Sequence, residues 1–262
     1  MRVSSNSVDS RGAPFSDVQC QMVSLFSMAS KAGLYTCDDP VVWRTVHEKY
    51  WDVVLHLSKT KGKQPGKLLS LDKWYQEELP SAIAERSVKF LCHDELMKLM
   101  EWKLTRGKFR PRLQQLVATN CPELVIQCTT KAFDLLPDVQ AAITELCSLK
   151  ALGPATASAV LAAGSPNQVA FMADEAMECI PGLTPIQYTG KHYALYLQKV
   201  TELTHRLNKA DSKKEWTPHM VELCLWAWTV AEKLHLPLLE GFTAGGIDEQ
   251  CKTQKPKRQK TE

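Results

Sequence analysis

The sequence lacks the cysteine and histidine patterns that mark metal sites and clusters. Its nine cysteines include no CxxC pair, and its seven histidines include no HExxH or other paired-ligand spacing. A zinc site or iron–sulfur cluster therefore has little support, and we expect neither a metal nor a cofactor. We expect reduced thiols that pack as small apolar side chains. The cysteines are Cys20, Cys37, Cys92, Cys121, Cys128, Cys147, Cys179, Cys224 and Cys251.

Long apolar runs and a strong charge of one sign are also missing. No run approaches the roughly 18 residues that a membrane span needs. The N-terminal stretch MRVSSNSVDSRGAPFSD lacks the apolar centre of a secretory signal. We therefore expect a soluble intracellular protein without a membrane partner. The balance of 32 Lys and Arg against 29 Asp and Glu is too mild to indicate a nucleic-acid partner, so that inference depends on local charge.

Strand-like alternation is nearly absent, whereas apolar residues recur at helical spacing along most of the chain. Asp38 or Asp39 before Pro40, and Thr217 before Pro218, have the chemistry of helix starts. At least seven helices joined by short loops predict an all-α fold with one continuous core. The predicted parts are a disordered N-terminus at 1–15, one helical domain at 16–244 and a disordered basic tail at 245–262.

The C-terminal tail ends in the basic sequence KPKRQK, which resembles a nuclear localisation signal. Short basic tails also occur for solubility alone. We expect the protein to reside in the nucleus. The basic residues of this cluster are Lys255, Lys257, Arg258 and Lys260.

Residues 139–163 contain a predicted helical hairpin with an apolar second helix. The first helix is expected from about Val139 to Leu149. We expect Gly153 to end the turn in a conformation that a side chain would oppose, and Pro154 to open the second helix. The small residues of PATASAVLAA would allow the two helices to approach closely. On these features alone, a plain core hairpin remains an open alternative.

The order LCSLKALG followed by a helix of small residues resembles the helix-hairpin-helix motif. In that motif, backbone amides at a helix N-terminus face a DNA phosphate and fix the register without reading the sequence. The resemblance implies that Gly153, the amides of Ala155 and Thr156, and the neighbouring Lys150 contact duplex DNA. Ala151 stands where the motif usually has its first glycine.

The segment after the hairpin, GSPNQVAFMADEAMECI, holds a carboxylate at a characteristic place. Helix-hairpin-helix DNA glycosylases carry their essential aspartate there, and Asp174 falls on it. The chain thus resembles the helix-hairpin-helix DNA glycosylase superfamily, most strongly over residues 135–182. Within that superfamily it is similar to the Amun-like proteins, which are described as nuclear proteins with a DNA-glycosylase domain.

The resemblance implies a chemical role for Asp174. Its carboxylate would stabilise the positive charge that develops on the sugar as an N-glycosidic bond breaks, or would activate a water molecule. The target base must first leave the stack. The alternative is that Asp174 only caps the next helix, a contribution of about 1 kcal/mol.

The chain departs from the superfamily pattern at several positions. Ala155 stands where bifunctional members have a nucleophilic lysine, so a Schiff-base lyase step is not expected and any activity would be monofunctional. Met172 and Ala173 replace a Pro-Val pair, and Ala176 replaces a histidine. The iron–sulfur cysteines of some members are missing. A pocket changed in these ways could belong to a DNA- or chromatin-binding protein that has lost catalysis.

The stretch KLTRGKFRPR contains five basic residues and no acidic residue. Gly107 and Pro111 predict a bend between helices. Such a bend could bind a phosphate backbone, with Phe109 against a base. The alternative is a solvated turn with Phe109 packed inward. The basic residues are Lys103, Arg106, Lys108, Arg110 and Arg112.

Three functions therefore remain open: a monofunctional DNA glycosylase, a non-catalytic DNA- or chromatin-binding protein, and a helical protein-interaction protein. Three tyrosines could line a cleft near Asp174, but their spacing favours core packing. They are Tyr188, Tyr193 and Tyr196.

Overall fold

The computed structural model describes residues 33–60 and 66–236. Within these ranges the chain forms helices, turns and loops but no strand, so the all-α prediction is confirmed. The predicted disorder at 1–15 and 245–262, and the basic cluster of the tail, lie outside the described residues. The helices are α1 (Pro40–Glu48), α2 (Tyr50–Thr60), α3 (Lys67–Lys73), a π-helix (Trp74–Glu78), α4 (Leu79–Ala84), α5 (His93–Arg106), α6 (Pro111–Val117), α7 (Pro122–Asp134), α8 (Val139–Leu146), α9 (Pro154–Gly164), α10 (Asp174–Glu178), α11 (Gly190–Ala210) and α12 (Pro218–Leu234).

Side-chain caps fix the starts of α1, α8 and α12. Asp39, Asp138 and Thr217 each accept a hydrogen bond from a backbone amide two or three residues later, at 2.9, 3.0 and 3.1 Å. A proline follows the cap directly in α1 and α12, where its missing N–H leaves no bond unmade. The caps predicted before Pro40 and Pro218 are therefore confirmed.

Helix α12 lies at the centre of a continuous apolar core. It packs against α1, α2, α10 and α11, and twelve of its seventeen residues are buried. Trp226 and Trp228 are both buried in it, so the expectation that at least one tryptophan of this helix belongs to the core is confirmed.

Helices α8 and α9 form the predicted hairpin. Helix α8 ends at Leu146, three residues before the expected end, and every residue of α9 from Ala155 to Ala163 is buried. Helix α9 packs against α4, α5, α7 and α8. At Gly164 an added Cβ would lie 2.5 Å from the ring of Phe133, so this helix end needs a residue without a side chain.

Membrane spans, disulfides and metal clusters are absent from the described residues. No helix within the described ranges is long and apolar enough to cross a membrane. The seven cysteines at described positions are free thiols, and four of them are buried. No group of three His, Cys, Asp or Glu residues at described positions is placed to hold a metal ion.

Candidate functional site

One pocket of about 240 Å³ brings together three segments that are distant in the chain. Its walls are the end of α5 with the bend at 107–110, the hairpin turn at 151–156, and the segment 171–175 that leads into α10. Leu113, Tyr188 and Trp226 complete the lining. The volume lies below the roughly 300–1,000 Å³ of sites for drug-sized ligands and suits a single ring system.

Asp174 lies in this pocket with its carboxylate held by side chains. It is the first residue of α10, whose N-cap is Ala173, and its carboxylate makes no capping bond. Tyr188 Oη donates to Oδ1 and Oδ2 of Asp174 at 2.7 and 2.9 Å, and Lys108 Nζ lies 3.0 Å from Oδ2. The interpretation of Asp174 as a helix cap is therefore wrong.

The groups around Asp174 keep their protons. Burial and the bond to Asp174 raise the pKa of Tyr188, so its phenol remains a donor. The hydrogen bond and charge of Asp174 raise the pKa of Lys108, which remains an ammonium. The guanidinium of Arg110 lies 5.8 Å from the centroid of the Tyr188 ring, a cation–π distance. The carboxylate is thus surrounded by positive charge and oriented by a phenol.

A buried segment, residues 169–173, positions Asp174 from behind. Three side chains bond its backbone: Ser158 Oγ accepts from the amide of Met172 at 2.9 Å, Tyr196 Oη donates to the carbonyl of Phe171 at 2.9 Å, and Tyr193 Oη donates to the carbonyl of Ala170 at 3.2 Å. Core packing of Tyr193 and Tyr196 is confirmed, whereas Tyr188 is partly exposed and contacts Asp174. Sequence reasoning missed Ser158, which read only as one more small residue.

The hairpin turn differs from the prediction in where its backbone is left-handed. Gly153 is extended, with φ −111° and ψ −179°, and an added Cβ would meet nothing within 4 Å. The left-handed residue is Ala151, with φ 69°. The expectation that Gly153 takes a conformation closed to side chains is therefore wrong. Ala151, at the position of the motif's usual first glycine, adopts the conformation for which that glycine is suited.

The hairpin amides named from the sequence differ in availability. The amide of Thr156 donates to the carbonyl of Gly153 at 2.9 Å, so it is already engaged. The amide of Ala155 makes no hydrogen bond with any described residue. The side chains of Ala155 and Thr156 are buried, and Lys150 is exposed beside the turn.

Asn120 clamps the turn from the loop before α7. Its Oδ1 accepts from the amide of Lys150 at 2.8 Å, and its Nδ2 donates to the carbonyl of Lys150 at 3.1 Å. Asn120 is buried although it is polar. Placed two residues before Pro122, it reads in sequence as an ordinary turn residue, so this role had no sequence signal.

The predicted bend between α5 and α6 is confirmed, and most of it is exposed. Lys108, Arg110 and Arg112 are exposed. The side chain of Phe109 is 77% exposed, so the interpretation in which it packs inward is wrong. An exposed phenylalanine between two cations leaves its ring free to contact a partner.

Arg106 is not part of this exposed set. It is only 3% exposed, its Nη1 lies 3.0 Å from Glu222 Oε1, and its guanidinium lies 4.1 Å from the centroid of the Trp226 ring. Its assignment as a DNA contact is wrong, because the core holds its charge. Arg106 follows Leu99 by seven residues on the same buried face of α5, a signal that the run of basic residues concealed.

A buried polar network surrounds Arg106 below the pocket. Asp72 Oδ1 lies 3.9 Å from Arg106 Nε, and the Asp72 carboxylate accepts bonds from Tyr50 and Trp102, both at 2.6 Å. Burial raises the pKa of Asp72, and burial raises that of Glu222 to about 7 against the attraction of Arg106. Since one guanidinium faces two carboxylates and Asp72 has the better donors, Glu222 is the carboxylate that is more readily protonated.

Lys103 lies inside the pocket rather than on the outer surface of the bend. Burial, with a smaller contribution from Arg110, lowers its pKa to about 8, although Asp174 opposes the shift. No hydrogen bond or ion pair among the described residues involves its amine. Lys108, by contrast, is paired with Asp174, and this contact raises its pKa.

Comparison of the chain with protein-family models, curated proteins and solved structures finds no match.

Proposed function

We propose that the chain is a nuclear, monofunctional DNA N-glycosylase with a helix-hairpin-helix glycosylase-like fold, which binds duplex DNA and uses Asp174 for base release. One observation carries the proposal: the hairpin turn, the basic bend and Asp174, identified separately in the sequence, line a single pocket. Packing into one hydrophobic core does not by itself bring these three segments to the same pocket.

The groups around the pocket suit a duplex with one base turned out. The exposed cations Lys108, Arg110 and Arg112, with Lys150 beside the hairpin turn, carry the charge that phosphates need. The amide of Ala155 near the start of α9 adds a donor at the positive end of a helix dipole. Phe109 is exposed where it can stack on a base or fill the gap that a base leaves.

Asp174 would act when Lys108 exchanges the carboxylate for a DNA phosphate. The side chain of Lys108 is 72% exposed, and an ion pair with so exposed a partner contributes only about 0–1 kcal/mol, so the exchange costs little. Tyr188 would keep the carboxylate oriented toward the sugar as positive charge develops there. The small volume of the pocket fits one base.

The second candidate is a DNA- or chromatin-binding protein without catalysis. The observation in its favour is that Lys108 and Tyr188 already neutralise and bond the carboxylate of Asp174. A carboxylate whose charge is already paired stabilises a developing positive charge less, and Met172 and Ala176 stand where the glycosylase pattern has other residues. In this case the pair with Lys108 would be structural.

Base release separates the two candidates. The full chain is incubated with duplexes that carry a panel of damaged bases, and abasic sites are counted after heat cleavage. We expect release by the wild type, and a loss of about 100-fold or more in Asp174→Asn, because a preorganised charge in a pocket is worth several kcal/mol. Asp134→Asn, at an exposed carboxylate outside the pocket, is the matched control. Equal release by Asp174→Asn would contradict the catalytic assignment, and no release by any protein with intact binding would favour the second candidate.

DNA binding is tested by salt titration with an undamaged duplex. Each lost phosphate contact should reduce the salt slope by about 1. We therefore expect a smaller slope and weaker binding for the double variant Lys108→Ala, Arg110→Ala than for Lys209→Ala, an exposed lysine outside the pocket. Equal slopes for all three proteins would contradict a DNA interface at this bend.

A further inference from the structure

The amine of Lys103 stands in an environment different from that of the chain's exposed lysines. It lies in the last turn of α5, in the wall of the pocket, and it faces the same space as Asp174 and Arg110. It has no ion-pair partner among the described residues, whereas Lys108 is paired with Asp174 at 3.0 Å. An amine in a partly apolar wall beside another cation loses its proton readily.

These conditions are those of a nucleophilic lysine. A neutral amine attacks carbonyl carbon, and burial next to a cation is one of the ways in which proteins produce one at ordinary pH. The pKa of Lys103, about 8, leaves about a quarter of the amine neutral near pH 7.5, against about a thousandth for an unperturbed lysine. Lys103 thus differs from an exposed lysine both in its position in the pocket wall and in the neutral fraction of its amine.

The surroundings also indicate which aldehyde would enter. Lys108 and Arg110 line the same pocket, and so does Ala155 near the start of α9, whose amide makes no hydrogen bond with any described residue. Two cations and a free backbone amide suit the oxygens of a phosphate. A phosphate-bearing aldehyde therefore places its anionic end against the cations and leaves its carbonyl for the amine.

We propose that Lys103 is a nucleophile that captures phosphate-bearing aldehydes as a reversible imine in this pocket. The amine nitrogen forms a bond to the carbonyl carbon, and the carbonyl oxygen leaves as water with the two hydrogens of the amine. Hydrolysis reverses both steps, so no oxidant or reductant takes part. The aldehyde has two possible sources, a free small molecule or the ring-opened sugar of an abasic site in DNA. The second source rests on the DNA binding of the proposed function and would change its activity from monofunctional to one with an imine step at Lys103.

The experiment measures imine formation by reduction with borohydride. The full chain is mixed at pH about 7.5 with pyridoxal 5′-phosphate, reduced, digested and mapped by mass spectrometry. We expect the adduct at Lys103 to form on the order of tenfold faster than at any exposed lysine, and faster than with pyridoxal, which lacks the phosphate. Lys103→Arg should lose this adduct, whereas Lys209→Arg, at an exposed position outside the pocket, should keep it.

A second arm uses a duplex with a single abasic site and the same reduction. A covalent complex at Lys103 supports the inference and assigns the aldehyde to DNA. An adduct with pyridoxal 5′-phosphate but none with the duplex also supports the inference, assigns the aldehyde to a free small molecule and leaves the proposed monofunctional activity in place. Labelling of Lys103 no faster than Lys209, or equal labelling of a Lys103→Arg variant that unfolds like the wild type, overturns it.

Discussion

The hydroxyl of Ser158 accepts a hydrogen bond from the amide of Met172 at 2.9 Å, and this bond joins the second hairpin helix to the segment that ends at Asp174. Ser158 also donates to the carbonyl of Ala155 at 2.9 Å. One buried hydroxyl thus connects the hairpin turn with the carboxylate. The geometry between them is held by the core.

Removal of this hydroxyl should destabilise the chain. In Ser158→Ala the buried amide of Met172 loses its acceptor, and an unsatisfied buried donor costs about 1–3 kcal/mol. We expect this loss in the free energy of unfolding, measured by urea denaturation. Ser81→Ala removes an exposed hydroxyl that bonds only the carbonyl of Glu77 one turn earlier, and it should change stability by less than about 0.5 kcal/mol. Similar effects of the two substitutions would show that the Met172 amide finds another partner.

The hairpin turn should be stabilised by glycine at position 151 and should tolerate alanine at position 153. Ala151→Gly relieves a left-handed alanine and should raise the free energy of unfolding by roughly 0.5–1 kcal/mol, less than the full steric cost because glycine also frees the unfolded chain.

At the extended Gly153, Ala restricts the unfolded chain without strain and should be neutral or stabilising by up to about 1 kcal/mol. Gly182→Ala, at φ 83°, is the control and should be destabilising. A loss at Gly153→Ala comparable to that at Gly182→Ala would mean that Gly153 is the left-handed residue after all. Thermal unfolding of the three variants decides this.

Gly164→Ala should be destabilising for a steric reason. Its Cβ would lie 2.5 and 2.7 Å from two ring carbons of Phe133, so the ring or the end of α9 must shift. Overpacking of this kind costs about 1–3 kcal/mol. The double variant Gly164→Ala, Phe133→Leu should lose less than the sum of its two single variants, because a smaller side chain makes room. If the losses of the two single variants add in the double variant, the destabilisation by Gly164→Ala does not come from the contact with the Phe133 ring.

Glu222 should make stability depend on pH near neutrality. Its folded pKa, about 7, lies above its ordinary 4.5, so the folded chain binds more protons than the unfolded chain between these values. Its contribution is therefore complete below about pH 4.5 and is lost as the pH rises through 7, a change on the order of 3 kcal/mol. The charged groups that act on it are Arg106, Asp72 and Glu175.

The measurement compares Glu222→Gln with the wild type by urea unfolding at several pH values. His219, with a pKa lowered to about 3 by burial, adds stability as the pH rises toward 6.5. The comparison cancels this opposite contribution because both chains keep His219. We expect the wild type to lose stability relative to Glu222→Gln from about pH 5 to 8. Parallel curves would mean that Glu222 is ionised throughout in the folded chain.

Local chemistry explains which structural predictions hold. The caps Asp39 and Thr217 depend on side chains that bond amides two or three residues away, so neighbouring residues suffice to predict them. Helical periodicity predicted the hairpin helices and the all-α fold, and Gly107 with Pro111 predicted the bend, for a similar reason. The superfamily resemblance singled out Asp174, but its bonds to Tyr188 and Lys108 come from other parts of the chain.

Tertiary contacts explain the predictions that were wrong. Gly153 has the residue type expected at a left-handed position, but Asn120 clamps the backbone at Lys150, next to the left-handed Ala151. Arg106 looked exposed because its neighbours in sequence are basic. Its burial follows from Glu222, which is 116 residues away in the chain.

The basic stretch has a buried part, Arg106, and an exposed tip, residues 108–112, and the two parts tolerate substitution differently. At the tip, Lys108 to Arg112 can be replaced without disturbing the core, so a descendant of this chain could acquire a new partner there and still fold. A change at Arg106 removes its contact with Trp226, and because both residues line the pocket, it alters the pocket as well as the core. The exposed residues of the bend can therefore change during evolution without loss of the fold, whereas Arg106 cannot.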